Sequence, residues 1–219
     1  MNRYVVILSF LLTTSQIFCQ KRIDLTRDKS LTKVFNQTEI QGLESIIRFV
    51  DNIVLNRNDK TDANEAYHLY LEEMALFNDE IENPPEDNLS FEENAKYKFL
   101  ESLDSCVFSA IWRFDTHMPM IRYKDSTYRN LDNFITLSIK PYSKYMDYLE
   151  EVGKNDSYFK SLRRDMENAG GISAGSAYLF TKNHGNFDFN IPENRLWAAI
   201  FLLCREDYRR KIDRYFKNK

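Results

Sequence analysis

Three times in the first half of the chain, a capping residue stands three positions before a glutamate and opens an apolar stripe at helical spacing: Asn36 with Glu39, Asp62 with Glu65, and Ser90 with Glu93. In such a capping box each side chain satisfies an amide that the first helical turn leaves without a partner, so the pattern marks a helix start. After Asn36, residues Ile40, Leu43, Ile46, Ile47, Val50, Ile53 and Val54 fall on one face, and the run ends in Asn56–Asp59. After Asp62 the inward stripe is Ala66, Tyr67, Tyr70, Met74 and Phe77, stopping before Pro84-Pro85. After Ser90 a long third helix is expected to reach about Phe114, burying Ala95, Phe99, Leu103, Cys106, Val107, Ala110 and Ile111. Apolar residues recurring at three and four positions require a helix, because a strand would send alternate residues to opposite faces.

Only six Gly and five Pro occur in 219 residues, too few to turn the chain through a β-sandwich or barrel. Further along, His117-Met118-Pro119 breaks the third helix, and Asp125 or Ser126 is read as the cap of a helix over Tyr128–Ile139. Pro141 opens another that closes at Gly153, and Asp156 a further one ending at Gly170-Gly171. Residues 170–191 concentrate four of the six glycines and read as a loop, followed by an apolar helix from Leu196 to Cys204 and a basic, aromatic terminal helix. The expected fold is all-α, a single-domain bundle of about seven to nine helices, with a Gly-rich loop near 170–190. Aromatics make up 14% of the chain, so rings should fill much of its core.

Residues 1–19 read as a signal peptide: Arg3, then the short apolar run Tyr4–Leu12, then a more polar stretch to Cys19. The run is well short of the roughly 20 residues needed to span a bilayer. The leader, followed by Gln20, resembles export signals common in some Gram-negative bacteria, a likeness that says nothing about activity. Gln16-Ile17-Phe18 lacks the small residues that precede a lipid-carrying cysteine, which argues against acylation of Cys19. A polar arm over 20–35 and a helical domain over 36–219 would follow. The expected location is periplasmic or secreted, with no transmembrane anchor after cleavage.

Beyond the leader the chain carries 29 basic against 33 acidic residues, a balance that does not suggest a nucleic-acid binder. The sharpest chemical motif is Gly171-Ile172-Ser173-Ala174-Gly175, which spells the G-x-S-x-G nucleophile elbow, with His184 and Asp188 downstream. That elbow requires a strand before the serine and a helix after it, whereas the preceding residues read as a helix closing on glycine. His68, His117 and His184 form no zinc signature, no phosphate-binding glycine motif is present, and no cofactor or metal is expected. Cys106 and Cys204 are a possible disulfide pair in an oxidising compartment. In the terminal helix, Arg209, Arg210 and Arg214 interleave with Tyr208 and Tyr215, and Arg and Tyr are favoured interface anchors. The sequence therefore reads as an exported, non-catalytic binding protein of the cell envelope, of the inhibitor, immunity or accessory type, with another protein as partner. The competing class is a serine hydrolase using Ser173 and His184.

Overall fold

A computed structural model describes residues 23–79, 89–123 and 126–217. The leader, the Pro84-Pro85 stretch and residues 124–125 lie outside the described residues.

Capping sets where the helices begin. The Asn36 side chain accepts from the Glu39 amide at 2.9 Å, and Glu39 returns the bond to the Asn36 amide at 2.8 Å. This box starts α2 (Gln37–Asn58), after a short α1 (Lys29–Val34). Asp62 caps α3 (Ala63–Asp79) through the Glu65 amide at 2.8 Å, while the Glu65 side chain pairs with Lys60. The third start falls two residues later than the sequence suggests, since Glu92 rather than Ser90 caps α4 (Glu93–Ser102). All the apolar positions expected of α2 are buried or pack against the core.

The segment read as a polar arm over 20–35 is docked where it is described: Leu25, Leu31 and Phe35 are buried, and Tyr148 donates to Asp28 at 3.1 Å. Its polar residues face solvent, and its few apolar ones suffice to dock it. The expected third helix stops at Ser102, restarts as α5 (Ser105–Ser109) on the Asp104 cap, and gives way to a β-hairpin. Strands β1 (Trp112–Tyr123) and β2 (Ser126–Ile139) pair antiparallel, so the segment 128–139 is strand and not helix.

Helices α6 (Lys144–Gly153) and α7 (Ser157–Ala169) form a tight hairpin, in which Gly153 lets the backbone of Lys160 approach. The Gly-rich segment is helical in part: Gly170 closes α7 at φ +72°, and α8 (Ala174–Lys182) and a single 3-10 turn (His184–Asn186) follow. The apolar helix α9 (Pro192–Cys204) is buried on every side from Asn194 to Leu203 and packs against α2. A helix apolar all round belongs at the centre of a bundle. One hydrophobic cluster runs from Leu25 to Leu203. The fold is thus a mainly α multi-helix bundle with a two-stranded hairpin inserted. Among the described residues, no helix is long and apolar enough to cross a membrane.

Within the core, Arg195 of α9 forms a two-pronged ion pair with Asp51 of α2, at 3.0 and 2.6 Å, and Tyr67 of α3 donates to the same carboxylate at 3.1 Å. This knot ties the three central helices together, and its partners are 144 positions apart in sequence.

Candidate binding surface on the hairpin and last helix

The last helix, α10 (Tyr208–Lys217), lies on the hairpin. Ile212 joins Leu131 and Phe134 in a small apolar cluster of its own, flanked by Met118, Ile121, Tyr128 and Tyr215. Polar contacts between helix and strand are as specific as the apolar ones. The Tyr215 hydroxyl donates to the Asp132 carbonyl at 2.9 Å, Lys211 Nζ donates to the Ile135 carbonyl at 2.7 Å, and Glu206 accepts from the Leu137 amide at 3.2 Å. Three side chains from one segment therefore satisfy backbone groups along β2 that a third strand would otherwise engage.

Glu206 is the hub of this arrangement. Its carboxylate pairs with Lys211 at 2.5 Å and with Lys96 of α4 at 3.4 Å, and accepts from the Tyr97 hydroxyl at 3.1 Å. Lys211 donates to that hydroxyl at 2.6 Å, and Lys96 to the Arg205 carbonyl at 3.0 Å. All three charged side chains are buried. Burial holds the Lys96 ammonium below its usual range, with Glu206 opposing, and pushes the Tyr97 hydroxyl far above its own. One carboxylate between two ammonium groups, with further hydrogen bonds, is the geometry that makes a buried ion cluster tolerable.

Above this cluster a cleft of about 450 Å³ opens between α4, β2 and α10, with Glu93, Asp132, Phe134, Lys211, Arg214 and Tyr215 in its wall. Two of the five α10 residues singled out in the sequence, Arg214 and Tyr215, thus line a cleft. Arg214 pairs there with Glu93. Tyr208, Arg209 and Arg210 lie exposed on the outside of the helix, Arg210 beside Asp207 at 3.1 Å. On the hairpin, Met120 and Ile135 are 53% and 49% exposed. Residues 112–139 and 208–219 together carry ten basic against four acidic residues, where the rest of the chain carries twenty against twenty-nine. This unit is net positive in a chain that is otherwise net negative.

The other sequence-derived residues fall elsewhere. Ser173 is the N-cap of α8, accepting from the Ser176 amide at 3.0 Å and lying 2.9 Å from the Ser176 hydroxyl. The element before it is helix α7, so the strand that an elbow needs is replaced by a helix end. His184 Nδ1 lies 3.0 Å from His68 Nδ1, and Asp188 accepts from the Asn190 amide at 2.9 Å; neither bonds Ser173. Gly170 and Gly171 line a separate cavity of about 490 Å³ floored by Met146 and Met166. Cys106 is exposed, Cys204 is half-buried, and both thiols are free. Burial pushes the Cys204 thiol up to about 12. Among the described residues, no group of three or more His, Cys, Asp and Glu side chains is assembled as a metal set.

Sequence reasoning did not find Glu206, Lys96 or Lys211. The one available signal was a glutamate and an aspartate at the head of an otherwise basic segment, and no spacing rule links them to α4, about 110 positions away. No protein-family model matches the chain, and comparison with curated proteins and with solved structures finds no match.

Proposed function

We propose that this chain is an exported, non-catalytic binding protein that holds an acidic partner protein on the face formed by its hairpin and α10. The observation that carries the reading is the concentration of basic residues on a unit whose β2 edge is taken up by side chains from α10 and the residue before it. Along β2, Glu206, Lys211 and Tyr215 occupy backbone groups. On β1, Pro119 has no amide to give, and proline on an edge strand is one of the devices that prevent edge-to-edge association. Recognition on such a unit runs through side chains: exposed Met120 and Ile135 as apolar contacts, with the Arg residues of α10 and the hairpin supplying charge. Buried apolar anchors ringed by charge are the usual anatomy of a protein-binding site, and the charge sets approach rate and partner choice. The leader read over residues 1–19 supports export.

Affinity capture with tagged protein from the native envelope and secreted fractions tests the reading. One stoichiometric acidic partner is expected, retained at low salt and lost in Arg209→Glu/Arg210→Glu and in Met120→Asp. A partner that survives both variants would discard this face. Capture of anionic vesicles, with no protein partner, would replace the proposed partner class.

A further inference from the structure

The chain holds three histidines, and two of them, 116 positions apart, meet ring to ring. His68 comes from α3. His184 comes from the 3-10 turn after α8, and its Nδ1 stands 3.0 Å from that of His68. We propose that His68 and His184 form a two-imidazole site for a late first-row divalent metal ion, with zinc as its redox-inert representative and water completing the coordination.

The geometry is the first support. Two imidazole nitrogens about 2.0–2.1 Å from one tetrahedral zinc lie roughly 3.3 Å apart, so the observed pair opens by about 0.3 Å and each ring turns by roughly 35° to aim its lone pair at the ion. Without metal, one Nδ1–H donates to the other Nδ1. Metal binding moves that proton to Nε2 of the same ring and leaves both Nδ1 lone pairs on the ion, with no net change in charge on the protein. The site is also held in advance. Phe189 packs on His68 with ring centroids 5.0 Å apart and is fully buried. Its amide donates to Asn64 of α3 at 2.6 Å, and Phe187 is buried beside it. The turn carrying His184 is thus fastened to α3 on the side where the rings meet.

Charge is the second support. His68 and Glu72 stand one helical turn apart on α3, and Asp188 follows His184 by four positions. Burial holds both imidazoles in the neutral form that ligates a metal, while the Asp188 charge acts on His68 and the Glu72 charge on His184 in the sense that favours a cation there. Both carboxylates are exposed and not in the ligand positions, so the site has two protein ligands and open water positions, as suits exchangeable binding.

The test uses tag-free protein stripped with chelator and titrated with Zn²⁺ by calorimetry, with the imidazole ¹⁵N resonances followed in parallel. One equivalent should bind, shifting Nδ1 of His68 and His184 together while His117, on the hairpin, stays unmoved. His68→Gln and His184→Gln should each weaken binding at least ~100-fold, beyond the 10–100-fold typical of outer-shell partners, and His117→Gln should leave it unchanged. Absence of saturable binding, or binding that moves only His117 or a cysteine, overturns the site. The ¹⁵N shifts on wild-type protein decide the matter even if a histidine variant fails to fold.

Discussion

Replacing Glu206 with glutamine removes one charge from the cluster beneath the cleft and leaves every carbon in place. Lys96, 2% exposed in its side chain, then loses its carboxylate partner, while Lys211 keeps Glu93 at 3.7 Å. Stranding a buried charge costs about 3–5 kcal/mol. The chain can avoid that cost by releasing the Lys96 proton, which burial already favours. From an unfolded-state value near 10.4, a neutral lysine at pH 7 costs about 4.6 kcal/mol, so the escape route sets a similar ceiling. A loss of about 3–5 kcal/mol should lower the melting temperature by roughly 6–20 °C in a domain of this size. The two routes differ in pH dependence. If Lys96 is neutral in the folded variant and charged when unfolded, the unfolded state binds the extra proton. Stability then rises with pH, by up to about 1.4 kcal/mol per unit, until the unfolded lysine titrates. Urea unfolding of both proteins at pH 7 and pH 9, followed by circular dichroism, should show a penalty that shrinks at the higher pH. Adding Lys96→Met to the variant should restore more than half of the loss. A penalty below about 1 kcal/mol at pH 7 would refute the view that this carboxylate anchors α10 and the hairpin to the helices.

Other expectations follow from the same structure. Asp51→Ala strands the Arg195 guanidinium inside the α2–α3–α9 knot and should cost about 3–5 kcal/mol by denaturant unfolding, whereas the exposed pair Lys60–Glu65 should be worth under ~1 kcal/mol. Ser173→Ala should cost about 0.5–2 kcal/mol through loss of the α8 cap, and a fluorophosphonate probe should label neither protein; labelling that vanishes in the variant would revive the hydrolase reading. Burial lowers both His68 and His184, so their neutral pairing stabilises the fold above the unfolded value near 6.5 and is lost as pH falls through the lowered folded values. Acid titration of melting temperature should show that loss in the wild type and a shallower one in His184→Gln. Burial raises Tyr67, Tyr145 and Tyr148 well above 10, so their contribution is complete below pH 10 and declines above it; tyrosinate absorbance should appear for these rings only as the chain unfolds.

How much of this was legible in the sequence depended on whether a feature was local. The α2 capping box needs only Asn36 and Glu39 and a stripe along one helix, so it could be read directly, as could the Gly170 cap of α7. The His68–His184 pair, the Asp51–Arg195 knot and the Glu206 cluster join residues over 100 positions apart, and no periodicity encodes such a meeting. Strand β2 is the instructive failure. Between Asp132 and Thr136 it advances four residues while β1 advances two, from His117 to Asp115, and Asn133 takes the left-handed conformation at φ +62°. The added residues shift the phase of the pleat, so the buried apolar positions are Leu131 and Phe134, then Leu137 and Ile139, with Thr136 buried beside them. The helix reading of Tyr128–Ile139 rests on Asp125 or Ser126 as a cap, and a spacing of three in place of two does not correct it, because it imitates a helical stripe. The same irregularity lies where α10 crosses: Asp132 and Ile135 flank it, and they present the carbonyls that Tyr215 and Lys211 take up. A regular β2 would have been easier to recognise. It would also have kept its pairing groups in line for a third strand, where the irregular strand takes α10 along its outer side. The feature that hides the hairpin from sequence reading is thus the one that seats α10 on its outer side.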